Sequence, residues 1–300
     1  LSAGVLYTYY VLATNASVDG GTSNTTKITL PPQVTNAVTI NPQQTTMGLT
    51  WTNALSATSY SIASSPAVAT SPQAATTSGA YTFTGLTAGI QYTFTITSIN
   101  ASGSGTITAS PAAVYTLSPS VASVTTSNPL TTTMDLTWPA STGAVSYSVT
   151  STPVTTTQTL TTGGTFTGLT AGTVYTFTVA AINSSGSGGT TTSASRITRS
   201  LPPASLTPAP AAATNYIDLS WPSAVGAVSY TVVSTPATVT NSELTGTNLR
   251  FTGLASGTNY TFTVTSVNAS GTSETSRTSV SVLTLPNPPA AAGAYVPTVR

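Results

Sequence analysis

Apolar and polar residues alternate with a period of two along many short segments of the chain. Tyr92, Phe94 and Ile96 fall on one face of such a segment, with threonines between them on the other. This pattern is typical of a β-strand with one buried face. Leu49 and Trp51 follow the same alternation, so both are predicted to point inward. Gly, Asn and Pro interrupt each run, and no apolar helical period appears, so the sequence predicts an all-β chain of short antiparallel strands.

One phrase recurs about every 84 residues, which identifies the chain as a tandem repeat. It reads Gly-Leu-x-x-Gly-x-x-Tyr, and we call it the corner. Its tyrosine is Tyr92, Tyr175 and Tyr260 in turn. A tryptophan recurs upstream of each corner, as Trp51, Trp138 and Trp221. Each of the three copies also carries an Asn-x-Ser-Gly sequence after the corner, which we call the Asn turn.

These residues together resemble tandem fibronectin type III modules. The resemblance rests on the strand tryptophan, the corner and the Asn turn, and it covers most of the chain. It implies an immunoglobulin-like β-sandwich for each repeat, arranged as a rod. It also implies that the three tryptophans and the three corner tyrosines belong to the structural core, with each tyrosine hydroxyl returning to backbone.

The repeat predicts module boundaries at residues 31–117, 118–201 and 202–285, which we call the first, second and third modules. Residues 1–30 match the corner and the last two strands of the repeat, and are interpreted as part of a further, truncated module. Residues 286–300 are interpreted as a linker or the start of another. We therefore expect this chain to be a segment of a longer array.

Prolines mark every junction between repeats, in Leu30-Pro31-Pro32, Leu117-Ser118-Pro119, Leu201-Pro202-Pro203 and Leu285-Pro286. Proline fixes φ and favours extended backbone, and no flexible Gly/Ser linker separates the modules. The junctions therefore predict a slender and fairly stiff rod.

Composition removes most chemistry from consideration. Only 4% of the residues are charged, the net charge is +1, and there is no His and no Cys. Phosphate neutralisation, thiolate or imidazole catalysis and the usual zinc sites are therefore not expected. The carboxylates are scattered, and Asp135 and Asp218 are equivalent positions in successive modules, so they cannot pair within one chain. We expect no catalytic residue, no metal site and no cofactor. Arg196 and Arg199 form a local cationic spot, interpreted as a charged strand edge.

Six Asn-x-Ser/Thr sequons are candidates for N-glycosylation: Asn15, Asn24, Asn100, Asn183, Asn259 and Asn268. Four of them lie at the same turn of successive repeats. Asn also suits a tight turn, and a chain in which Ser and Thr are so abundant produces sequons by chance. A nearly uncharged β-rich surface, however, needs protection against edge-to-edge association, or uses it. Both interpretations stay open.

The expected function is a non-catalytic stalk, spacer or fibre segment of a long extracellular, cell-surface or virion-surface protein, adhesive or self-associating. Its expected partners are other copies of the chain or neighbouring surface proteins, with glycans as further candidates, and neither nucleic acid nor an inserted membrane. One alternative is a set of linker modules in a secreted polysaccharide-degrading enzyme. Another is a carbohydrate-binding adhesin that uses exposed aromatics such as Tyr10, Tyr115 or Tyr216.

Overall fold

The structure is a computed structural model that describes residues 1–16, 19–75, 79–109, 112–239 and 241–289. All of the regular secondary structure in these residues is β-strand and turn, as the alternating pattern predicts. Of the predicted linker, residues 286–300, the structure describes only residues 286–289, which form no strand; residues 290–300 lie outside the described part.

The first strands form a hairpin. β1 (Leu6–Thr14) and β2 (Asp19–Ile28) pair antiparallel, with Leu6 opposite Ile28. The hairpin corresponds to the last two strands of the repeat.

The first module is a sandwich of two sheets. Its strands are β3 (Thr35–Ile40), β4 (Thr46–Thr52), β5 (Ser59–Ser65), β6 (Gln73–Ala75), β7 (Ala80–Thr84), β8 (Gln91–Asn100), β9 (Gly103–Ala109) and β10 (Val114–Tyr115). One sheet has the order β3-β4-β7. The other has the order β10-β8-β5-β6, with β9 also paired to β8.

The second module repeats this arrangement. Its strands are β11 (Thr125–Ser127), β12 (Met134–Thr137), β13 (Ser146–Thr152), β14 (Gln158–Leu160), β15 (Gly163–Phe166), β16 (Val174–Asn183), β17 (Gly186–Thr192) and β18 (Arg196–Ile197). The sheets have the orders β11-β12-β15 and β14-β13-β16-β17, with β18 paired to β16.

The third module repeats it again. Its strands are β19 (Thr207–Pro208), β20 (Tyr216–Ser220), β21 (Ser229–Thr235), β22 (Asn241–Leu244), β23 (Asn248–Thr252), β24 (Asn259–Asn268), β25 (Gly271–Thr272), β26 (Arg277–Thr278) and β27 (Val282–Leu283). The sheets have the orders β19-β20-β23 and β22-β21-β24-β25, and β26 and β27 also pair with β24.

Each module has its own hydrophobic core between its two sheets. The strand tryptophan stands edge-on to a buried tyrosine of the facing sheet, for example Trp138 to Tyr147 with ring centroids 5.4 Å apart. The predicted core residues lie in these clusters: Trp51 and Tyr92, Trp138 and Tyr175, and Trp221 and Tyr260.

Every corner tyrosine accepts a backbone hydrogen bond, and this closes the end of the sandwich. The Tyr175 hydroxyl accepts from the Thr170 N–H at 3.0 Å, and Tyr92 and Tyr260 make the equivalent bonds. The corner leucines are buried as well, so the corner fixes where the following long strand begins.

Candidate functional site: the joints between modules

Among the residues that the structure describes, few titratable side chains contact one another. The two aspartates at equivalent positions, Asp135 and Asp218, each have their own hydrogen-bond partners. Asp135 of β12 accepts hydrogen bonds from Thr165 Oγ1 at 2.6 Å and from Asn128 Nδ2 at 2.8 Å. These two bonds, the one from Thr165 first, hold the pKa of the Asp135 carboxyl below its usual value.

Asp218 of β20 has a different partner. Arg250 donates to its two carboxylate oxygens at 2.8 and 3.0 Å, and these bonds lower the pKa of Asp218. The same guanidinium lies 4.2 Å above the ring of Tyr216. The two aspartates are therefore engaged on the outer faces of different modules, where neither has a second carboxylate as partner for acid/base chemistry.

The aromatic side chains considered for carbohydrate contact lie in three different settings. Tyr10 is exposed on the first hairpin, whereas Tyr115 is half-buried and Tyr216 is covered by Arg250. These three rings do not form a common platform of the kind that stacks on sugars.

Within the described ranges, no three acidic side chains lie close enough together to hold a metal ion. No helix in that part of the chain is long and apolar enough to span a membrane. An open groove of about 510 Å³ runs across the outer face of the first module, between Ile40, Gly48 and Thr82.

The contacts that recur from module to module lie at the joints, the places where one module meets the next. At each joint the second glycine of the corner packs against the turn that follows the strand tryptophan of the next module. A methyl group added to Gly172 would lie 2.3 Å from the Cα of Gly226, and one added to Gly89 would lie 2.0 Å from the carbonyl oxygen of Thr142. The backbones of neighbouring modules are therefore in direct contact, and only glycine fits.

The Asn turn forms the second contact at each joint. In the second module, Asn183 Nδ2 donates to the Thr116 carbonyl of the first module at 2.8 Å. Ser185 Oγ donates to the Tyr115 carbonyl at 2.6 Å, and the Ser185 N–H donates to Asn183 Oδ1. The turn thus holds its own shape and binds the last strand of the preceding module.

The other two joints repeat these bonds. Asn100 Nδ2 donates to the Thr29 carbonyl and Asn268 Nδ2 to the Thr198 carbonyl, both at 2.9 Å. The serines of these turns donate to the carbonyls of Ile28 and Ile197. We call the bonds from an Asn turn to the preceding module the clasp.

The clasp divides the six sequons into two groups. Asn100, Asn183 and Asn268 are 6% exposed, and the nitrogen that would carry a glycan is the one that donates across the joint. Asn15, Asn24 and Asn259 are exposed. A glycan on Asn100, Asn183 or Asn268 would have to replace the clasp bond. In the folded array, glycosylation is therefore predicted mainly at the three exposed sequons.

The two arginines of the predicted cationic spot lie in different environments. Arg196 is exposed on β18, whereas Arg199 belongs to a joint and its Nε is buried without a hydrogen-bond partner. The Arg199 carbonyl accepts from the Gly172 N–H, as the Leu117 carbonyl accepts from Gly89. Arg199, and not Leu201, is thus the structural equivalent of Leu117 at the third junction.

The first and second modules each have two described joints, which lie at opposite ends of the module. In the second module the corner with Gly172 faces the third module, and the Asn turn with Asn183 faces the first. β16 connects the two and has 10 residues, which corresponds to about 33 Å. The modules are therefore joined end to end.

Comparison with known proteins finds three successive domains in this chain. The sequence model of the fibronectin type III domain matches residues 30–114, 118–198 and 201–282. Chitinase A1 from Niallia circulans is 35% identical over 187 residues, which make up 57% of this chain and 26% of the chitinase. The chain thus spans about a quarter of the length of that relative.

Two chicken structures with tandem modules are similar. The FN1–FN3 domains of CNTN1 align with 85% of this chain and 99% of their own length, at 19% identity and a TM-score of 0.32. A segment of two fibronectin type III domains from tenascin aligns with 55% of this chain and 99% of its own length, at 16% identity and a TM-score of 0.34. From the matches to three successive segments, which together cover most of the sequence, the chain belongs to the fibronectin type III family.

Proposed function

We propose that this chain is a non-catalytic spacer of an extracellular protein, which holds the parts that it connects at a set distance and orientation. The observation that carries the proposal is the repetition of the clasp and of the glycine contact at successive joints. A chain of independent binding domains does not need the same hydrogen bonds at every joint, whereas a spacer of defined geometry does.

The chemistry of the surface supports the same function. Asp135 is bonded by Thr165 and Asn128, and Asp218 by Arg250. The groove on the first module has no charged lining residue. Such a surface offers few side chains that could bind a charged ligand or react with one. As more specific versions of this proposal, the spacer is attached to a cell or virion surface, and it associates with other copies of the chain.

Small-angle X-ray scattering of the 300-residue chain tests the spacer. Modules joined end to end at about 33 Å each give a rod with a radius of gyration of about 30 Å. A compact domain of 300 residues has a radius of about 19 Å. A value near the smaller number would contradict the proposal, as would a distance distribution that shows the modules folding back on one another.

A second candidate function is favoured by the similarity to chitinase A1. The chain would then be the set of linker modules in a polysaccharide-degrading enzyme. Peptide mapping of the protein from its native source distinguishes the two candidates, because peptides from a catalytic domain are expected only for the enzyme. Pull-down of the chain alone with chitin is expected to fail in both cases, and binding would instead support an adhesin.

A further inference from the structure

The joints share the clasp, but one pair of side chains differs between them. The first member of the pair lies three residues before a buried methionine, Gln44 before Met47 and Thr131 before Met134. It comes from the turn between the first two strands of a module. The second member comes from the module that follows, six residues after the Asn of its clasp.

In the joint between the first and second modules, the long side chain comes from the first module. Gln44 Nε2 donates to the Ser118 carbonyl at 3.2 Å. The residue facing it in the second module is Gly189. A methyl group there would meet the Ser120 amide nitrogen of its own module first, and it would also lie 2.8 Å from Gln44 Nε2. A side chain at position 189 would therefore meet both the Ser120 backbone and the end of the Gln44 side chain.

In the joint between the second and third modules, the sizes are reversed. The equivalent of Gln44 is the short Thr131, and the equivalent of Gly189 is the long Glu274. The Glu274 carboxylate accepts from the Thr131 N–H at 2.7 Å and from the Thr131 hydroxyl at 3.0 Å. A charged acceptor that binds two donors is among the stronger hydrogen-bonded arrangements.

We infer that this pair specifies which modules fit next to each other. A long side chain on one module needs a short one on its neighbour, and the two joints meet this requirement in opposite ways. A module with Gln at the first position followed by one with Glu at the second would place two long side chains in one space. Thr followed by Gly would leave the Thr N–H without its partner. The joint thus has a constant part, the clasp, and a variable part, the pair. This inference goes beyond the spacer function, because it concerns the order of modules.

A cycle of substitutions in the full chain tests the inference. Glu274→Gly removes the long member, Thr131→Gln introduces a second long member, and the double variant recreates the pairing of Gln44 with Gly189. Glu243→Gln is the control, because Glu243 is an exposed carboxylate of the same module away from the joint. The chain has no cysteine, so single cysteines at the exposed Val154 and Val280 can carry spin labels on the second and third modules.

The readout is the width of the label-to-label distance distribution. We expect both single variants to broaden it, and the double variant and the control to keep the wild-type width. In Glu274→Gly, the amide of residue 131 should also exchange its hydrogen about tenfold faster, because it loses a hydrogen bond. Single variants as narrow as the wild type, or a double variant as broad as the singles, would overturn the inference. Far-ultraviolet circular dichroism that matches the wild type shows that any broadening arises at the joint and not from unfolding.

Discussion

The three modules are nearly alike at their joints, but they differ on the outer faces of the β3–β4–β7 sheet and its equivalents. The clasp recurs with the same residue types and nearly the same distances at every joint. The outer faces, in contrast, carry Gly48 in the first module, Asp135 with a hydrogen-bonding threonine in the second, and Asp218 with an arginine in the third. Residues that must fit a neighbouring module are constrained by its backbone, whereas residues that face solvent are not.

The largest effect is expected where the backbones of two modules touch. Gly172→Ala should destabilise the joint between the second and third modules by about 2–5 kcal/mol, because a Cβ at positive φ adds to an overlap with Gly226. Chemical denaturation monitored by tryptophan fluorescence measures this loss in the free energy of unfolding. Gly168→Ala is the matched control, since Gly168 also has positive φ but has no atom near its missing Cβ. Equal costs for both variants would show that the joint contributes nothing.

Removal of a clasp should have an intermediate effect. Asn183→Ala leaves the buried Thr116 carbonyl without the amide that bonds it, and we expect a loss of about 1–3 kcal/mol in urea denaturation. Asn259→Ala, at an exposed sequon, should stay within about 0.5 kcal/mol of the wild type. If the two variants behaved alike, the clasp would be no more important than a surface residue.

The outer faces should give the smallest effect, and it should depend on pH. The pKa of Asp218 is lowered in the folded state, so the Asp218–Arg250 pair stabilises the protein above the unfolded pKa, and this stabilisation is lost as pH falls through the folded pKa. Asp218→Asn should therefore reduce stability slightly at pH 7 and leave it unchanged at strongly acidic pH. Since the pair is exposed, the difference should shrink at high salt. A larger loss at acidic pH than at pH 7 would contradict this sign.

The interior of each module could be predicted from the sequence to a large extent. Strand burial leaves a local pattern of period two, and this pattern correctly predicted that Leu49 and Trp51 point inward. The repeat correctly predicted that Tyr92 and its equivalents occupy one structural position. The structure confirms the all-β fold that follows from this pattern.

The joints could not be predicted in the same way. Asn183 bonds a residue of another module 67 positions away, and no local pattern distinguishes such an Asn from one that only shapes a turn. The Leu-Pro-Pro sequence likewise suggested Leu201 as the junction equivalent, while the backbone hydrogen bonds select Arg199. One available signal was the recurrence of the whole Asn-x-Ser-Gly sequence, since a turn needs its glycine but not its serine.

The clasp also determines how the array responds to tension. A load applied along the rod passes through the covalent connection at each joint, while the clasp spans the same gap in parallel. A joint has a few hydrogen bonds, whereas opening a module requires separation of β13 from β16 along seven residue pairs and exposure of its core. The joints should yield first and the modules later, so that the array extends slightly at low force and resists firmly at high force.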